Sequence, residues 1–414
     1  MNIFYGENPS SASSKSLENS QSLGIKTKSH VMLTPQGFQR VHDYLLQDQS
    51  RKLLPKERVS KCRRLRIDKT KTRTVMYNEH REKAHYGNVQ ICGSIWSCPV
   101  CAKQITQKRR NELGKGIESW KTAHNGSVYL LTLTFSHSPD QSLKSNLEGL
   151  KRAMKRFYET TRVQVIFKKL SVFHKIKGLE VTYGQNGWHP HHHVLLLAEH
   201  HDLRFKDYTS ELTELWIKAC IRSGLNAPSM RHGLDLRNGS YADQYVSKWG
   251  LEDELSKGHV KKGRNGGFTP FDLLNFSIED NEIYGKKPSK LFQEFAISMK
   301  GARQLVWSRG LKKLLGIEEK SDEELAVETD KASISLNRVE DLVFELLCRY
   351  QLRHQYLEAI KHDYETGSFG SGLADQLIEQ VVNYEIKQMQ QVFSLSLIHI
   401  SEPTRLRFQS RVGG

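Results

Sequence analysis

GWHPHHHVLLL, residues 187–197, sets four histidines within five positions and then runs into aliphatic residues. A short apolar run behind a turn reads as a buried β-strand, and in a strand alternate side chains share a face. His191 and His193 are therefore expected to point one way and His192 the other. The preceding residues, LEVTYGQNG at 179–187, form a second apolar run that ends in turn residues, so the two together predict a hairpin. If Tyr183 and Trp188 close a four-residue turn, Glu180 lies across from His191. If Gln185 pairs with Trp188 around Asn186-Gly187, Glu180 faces His193 instead. Either register puts the carboxylate on the histidine face. Two imidazoles and one carboxylate can grip one cation and leave coordination positions open, which is the arrangement of a catalytic metal rather than a structural one. The plainer alternative is a strand end that carries histidines for solubility. His189 and His192 read as packing or surface residues.

About fifty residues on comes GSYADQYVSKWG, 239–250. Tyr241, Tyr245 and Lys248 are spaced i, i+4, i+7 and share one face if this stretch is helical. A phenol is a weak nucleophile near neutral pH because its pKa is about 10. A nearby ammonium such as Lys248 would favour the phenolate, and a cation on the target phosphate would help further. Tyrosine, lysine and a divalent ion together suit attack on a phosphodiester. By itself the spacing is more often core packing.

Cys92, Cys98 and Cys101 read C-x5-C-x2-C, with Cys62 upstream. Four thiolates would complete a tetrahedral structural zinc site, and the presence of two further cysteines disfavours a redox C-x-x-C. Cys220 and Cys348 sit in apolar helical settings and are expected to be buried.

The chain has 414 residues, with 62 Lys and Arg against 46 Asp and Glu, a net +16 that favours a polyanionic partner such as nucleic acid. KGHVKKGRNGG, 257–267, is a glycine-rich basic loop in which Lys257, Lys261, Lys262 and Arg264 could hold DNA backbone. A second basic cluster spans 51–73. No run approaches the roughly 18 apolar residues of a membrane span, and the start lacks the layout of a signal peptide, so a cytoplasmic protein with no membrane partner is expected. No phosphate-cradling G-x-x-x-x-G-K-[ST] occurs, so unwinding would need a separate helicase.

SVYLLTLTFSH from Ser127 predicts a central strand. The segments from Ser142 and Ser210 predict amphipathic helices. An α+β domain is expected over 126–275, after a polar arm at 1–30 and a basic, Cys-rich region at 31–125. An extension follows over 276–320, then a helical module over 321–393. In that module Leu336, Val339, Leu342, Val343, Leu346 and Leu347 fall on one helical face. Residues 394–414 include LSLIHISEPTR, which resembles the translation of a sequencing-library adapter and is set aside.

The order of LLTLTFSH, then the His-x-His strand, then Tyr-x-x-Lys resembles the HUH endonucleases. Within them it is most similar to plasmid replication initiators of rolling-circle type. CGSIWSCPVCA, GWHPHHHVLLL, YVSKWG, TPFDLL and WSRGLK carry the likeness over about residues 60–315. The resemblance implies a palm-like central antiparallel β-sheet with flanking helices, a zinc-binding N-terminal region and a helical C-terminal extension. It implies His191 and His193 as ligands to Mg²⁺ or Mn²⁺ with Glu180 as the third, Tyr245 as nucleophile and Lys248 as its helper. It further implies nicking at a plasmid double-strand origin, on single-stranded or supercoiled DNA. The enzyme keeps the 5′ phosphate, the freed 3′ hydroxyl primes synthesis, and host helicase and polymerase take part. Tyr241, four residues before Tyr245, is either a second nucleophile or structural, and Asp243 lies on another helix face. A relaxase or transposase of the same superfamily, a water-activating metallohydrolase and a non-catalytic zinc-stabilised DNA-binding regulator are the rival readings. A homo-oligomer is left open.

Overall fold

The computed structural model describes residues 35–200, 203–239, 267–327 and 333–400. The chain is α+β and divides into two units. One comprises residues 42–67 and 89–331, and the other takes in 1–41, 68–88 and 332–414.

The larger unit is built on a five-stranded antiparallel sheet. We label β1 (Arg73–Asn78) and β2 (Lys83–Gly87), which belong to the smaller unit, then β3 (Ser127–Leu133), β4 (Val172–Gly184), β5 (Gly187–Ala198), β6 (Leu234–Arg237) and β7 (Leu305–Trp307). The strand order is β6-β3-β5-β4-β7, so the aliphatic run behind the histidines is the central strand. The helices of this unit used below are α1 (Pro35–Leu53, shared by chain position with the smaller unit), α2 (Pro99–Ala123), α3 (Leu143–Glu159), α4 (Thr161–Lys169) and α5 (Thr209–Arg222).

Strand register sorts the side chains into two faces. Cross-strand partners share a face, so Val128, Leu130 and Thr132 of β3 go with Leu197, Leu195 and His193 of β5. Ile176, Gly178 and Glu180 of β4 join them through the same rows. The intervening residues Tyr129, Leu131, Leu133, Val194 and Leu196 lie on the opposite face. There they form the main core with Leu150, Met154 and Phe157 of α3 and Leu212 and Trp216 of α5. This explains the spacing of α3, whose apolar stripe is a single face of one helix. Among the described residues, one end of the histidine-bearing face is covered by Leu113, Ile117 and Trp120 of α2 with Leu311 and Leu315. Its other end carries the polar row.

The β4–β5 hairpin closes with Tyr183 opposite Trp188 and Gly184 opposite Gly187, so Glu180 pairs with His191. Of the two registers open from sequence, the four-residue turn is the one adopted. Gln185 and Asn186 keep negative φ, whereas Gly187 has φ +82°. A tight Asn-Gly turn would need positive φ at Asn186. A Cβ on Gly187 would also meet Ser138 O and Pro139 Cα at 2.9 Å. Trp188, next in line, is 1% exposed and lies against Tyr183 and Phe295.

In the smaller unit a three-stranded antiparallel sheet has the order β2-β1-β8, with β8 at Ile334–Val339. Leu336 and Val339, expected on a helical face, are therefore strand residues. The helix begins only at Asp341, and Leu342 is 69% exposed. Pairing of Arg73 with Val339 and Val75 with Asn337 overrides the local helical period. Arg73 donates to Asp341 at 2.6 Å and its guanidinium lies 4.3 Å from the Phe344 ring centre, fastening that helix start to β1.

Gly187→Ala is expected to lose at least ~1 kcal/mol of unfolding free energy, since the backbone there is left-handed and the space filled. Asn186→Ala at the exposed turn is expected to stay within ~0.5 kcal/mol. Urea denaturation of the two variants checks this.

Candidate metal centres

Glu180, His191 and His193 converge. The Nε2 atoms of His191 and His193 lie 3.4 and 3.5 Å from Glu180 Oε2. Ligand atoms each about 2.1 Å from one ion lie about 3.0–3.4 Å apart, so little movement would be needed to share a cation. Among the described residues the three side chains are partly exposed rather than sealed. Alternation places His192 on the other face, where its Nδ1 lies 3.1 Å from Gly178 O and burial draws its pKa down to about 4.

The far nitrogens of both ligand candidates are also engaged. His191 Nδ1 lies 3.3 Å from the carbonyl of His189, which can only accept, so Nδ1 carries a proton and Nε2, which faces Glu180, is the nitrogen that would offer its lone pair to a cation. His193 Nδ1 lies 3.0 Å from Thr132 Oγ1. His189 stacks on His191 and in turn meets His137, with ring centres 4.8 Å apart at each step. Burial, reinforced by the imidazoles beside it, takes His189 down to about 3. Thr132 and His137 were not singled out from sequence. Alternation along β3 was the available signal for Thr132, but its partner on β5 depends on a register that pattern alone does not define.

Burial disfavours charge at His191, but Glu180 outweighs it and raises the imidazole above its ordinary value. Burial likewise opposes charge on Glu180, yet the two histidines hold the carboxyl well below the usual range.

The four cysteines form a second cluster. Cys62 Sγ and Cys92 Sγ each lie 3.6 Å from Cys101 Sγ, and Cys98 Sγ lies 3.9 Å from Cys62 Sγ. Tetrahedral ligation with bonds of about 2.3 Å sets sulfurs about 3.8 Å apart. None is in a disulfide. Cys98 caps α2 and Cys101 sits in its first turn, so CPVC turns both thiols inward. Cys62 and Cys92 are brought together by a short ribbon in which Arg63 N–H donates to Gln90 O and Gln90 N–H to Leu65 O. Gln47 Nε2 donates to Cys98 Sγ and Cys62 Sγ at 3.2 and 3.5 Å, and Arg63 is buried beside the sulfurs. Burial pushes the Cys98 thiol well up, so thiolates here call for a cation. Cys220 and Cys348 are buried elsewhere, and burial lifts Cys220 to about 12.

Tyr241, Tyr245 and Lys248, and Lys257, Lys261, Lys262 and Arg264, lie outside the described residues. The chain on either side of them is anchored to the same sheet. β6 pairs with β3, and Phe268 exchanges backbone hydrogen bonds with Tyr183 at 2.7 and 2.9 Å. No helix among the described residues is long and apolar enough to cross a membrane.

The Glu180–His191 pair carries a pH signature in metal-free protein. Glu180 contributes stability that is present above its ordinary value of 4.5 and lost as pH falls toward its depressed folded value. His191 contributes stability present below its ordinary 6.5 and lost as pH rises through its raised folded value. In chelator, the stability gap between the native chain and Glu180→Gln is therefore expected to be widest between pH 4.5 and 6.5. A pH series of urea unfolding curves reads it, and a gap independent of pH counts against the pairing.

Residues 84–356 match a family model described as replication protein, Rep_1. Over 294 residues the chain is 24% identical to Protein rep of Streptomyces lividans, covering 55% of this chain and 64% of that protein. It is 27% identical over 131 residues to Protein rep of Lentilactobacillus hilgardii, covering 30% of this chain and 39% of that one. It is 28% identical over 132 residues to the neomycin resistance protein of Streptomyces cyanogenus, covering 26% and 30%. The chain thus spans less than two thirds of the length of these relatives. No solved structure matches it. With its five-stranded sheet, Glu180, His191 and His193, three of the four clustered cysteines and most of its length inside the matched region, the chain belongs to the Rep_1 replication protein family.

Proposed function

We propose that the protein initiates rolling-circle replication of a bacterial plasmid as an HUH-type nicking and joining enzyme of the cytoplasm. The observation that carries this reading is the convergence of Glu180, His191 and His193 on one face of the five-stranded sheet, in a chain of the replication protein family. The palm-like description of the sheet belongs to the same proposal.

Two imidazoles and a carboxylate fit a divalent transition ion, favouring Mn²⁺ over the harder Mg²⁺. Such an ion would draw charge from the scissile phosphate. The remaining work falls to the chain itself. Tyr245 Oη gives up its proton and attacks phosphorus, the bond to the 3′ oxygen breaks, and the 5′ phosphate stays on the tyrosine while the 3′ oxygen takes up a proton and leaves as a hydroxyl, so that no net proton is gained or lost. Lys248 favours the phenolate by charge. Tyr241 serves either as a second nucleophile in strand joining or as a packing residue. Lys257, Lys261, Lys262 and Arg264 hold DNA backbone near the cut. Origin DNA, single-stranded or supercoiled, is the substrate, and host helicase and polymerase extend the freed 3′ end.

The Cys62, Cys92, Cys98 and Cys101 cluster fits Zn²⁺, whose preference for four sulfurs at tetrahedral corners matches their spacing. Its role is structural, because no ligand position is left open. Purified protein is expected to carry one zinc per chain by elemental analysis, and Cys62→Ser to lose most of it with a drop in melting temperature.

The nicking reading is tested with supercoiled origin DNA and Mn²⁺. Nicked circles with protein linked to the 5′ end are expected, and Tyr245→Phe should lose the linkage and at least ~100-fold in nicking rate. Retarded but uncut DNA would indicate a binding regulator, and cutting without a covalent adduct a water-activating hydrolase. Peptide mapping identifies the linked residue.

A further inference from the structure

We infer that Thr132 is a positioning residue that holds His193 in the tautomer able to ligate a metal. The inference rests on the metal reading of Glu180, His191 and His193 given above. Thr132 is the direct cross-strand partner of His193 between β3 and β5, and its Oγ1 lies 3.0 Å from His193 Nδ1. A neutral imidazole has one protonated nitrogen, and only the Nδ1–H form leaves a lone pair on Nε2, the atom that faces Glu180. When Nε2 is on a metal the proton of His193 sits on Nδ1, and Thr132 Oγ1 lies where it can accept it.

The two histidines obtain the same tautomer by different means. For His191 the acceptor is a backbone carbonyl, that of His189, which no substitution removes. For His193 it is a side chain and so can be changed. Thr132 is also rigidly placed. It is β-branched, which restricts χ1, and it follows Val128 and Leu130, which are 1% and 8% exposed against α2. On its other flank it pairs with Asp235 of β6, whose carboxylate is already taken by Arg237 at 2.5 Å. A hydroxyl is a neutral partner. It sets ring orientation without adding the negative charge that a carboxylate at this position would bring next to Glu180.

The test uses the full chain and Mn²⁺ as probe, with binding followed by the loss of the free-ion electron paramagnetic resonance signal. His193→Ala, Thr132→Val, Thr132→Ala and Thr132→Ser are compared with the native chain. Loss of an outer partner of a metal-bound histidine weakens affinity about 10–100-fold. Thr132→Val and Thr132→Ala are expected to show that loss, His193→Ala to lose the site, and Thr132→Ser to stay within about threefold of native because the hydroxyl is retained. Long-range ¹H–¹⁵N spectra of the Mg²⁺-loaded protein should show His193 protonated at Nδ1 in native and Thr132→Ser protein, and that signal weakened or lost in Thr132→Val. A purely packing role would leave that spectrum unmoved. Native Mn²⁺ affinity in both Thr132→Val and Thr132→Ala, with binding lost in His193→Ala, overturns the inference and leaves the metal site standing. Native affinity in His193→Ala overturns the metal reading and the role of Thr132 with it.

Discussion

The register of one hairpin decides what this protein can do. Tyr183 against Trp188 puts Glu180 directly across from His191 and two residues from the row of His193. Because side chains alternate strictly along a strand, a slip by one position would send both histidines into the core and expose Val194 and Leu196. The hydrophobic burial of those aliphatic residues, each 0% exposed, is what holds the polar row in place. Thus the convergence of Glu180, His191 and His193 is stabilised by the opposite face of the same strand, and the left-handed Gly187 allows the turn to close in that register.

The sheet separates two tasks. One face is packed by α3 and α5 and contributes rigidity. The other is covered by the far half of α2 at one end and presents Glu180, His191 and His193 at the other. The same helix begins at the cysteine cluster, so one 25-residue element runs from Cys98 to the β-sheet. Residues 54–67 and 89–98, which bring Cys62 and Cys92 to the helix start, contain little regular structure, and a core built only from their few aliphatic side chains would be thin. Four buried cysteines around a cation would tie these segments together where secondary structure does not.

Much of this was legible beforehand because the relevant signals are local. The strand period identified the facing of His191, His192 and His193, and the aliphatic run marked a central strand. The CPVC spacing indicated two thiols able to turn onto one ion, and the apolar stripe of 143–159 marked a packed helix. Where local pattern misled, a distant partner prevailed. Leu336 and Val339 match a helical face, yet their backbone completes a ladder with β1, more than 250 residues earlier in the chain. Nothing in a short window can register that competitor.

The sequence by itself determined which residue types were present at chemically meaningful spacing: paired imidazoles with a carboxylate nearby, and three thiols in one short group with a fourth upstream. Period and residue chemistry act over a few positions and need no fold to be read. Tertiary structure alone decided which turn closed the hairpin, that Cys62 joined cysteines thirty and more residues away, and that Thr132 met His193. These depend on strand register and chain reversal, which are settled by packing among elements remote in sequence rather than by the preferences of any one of them.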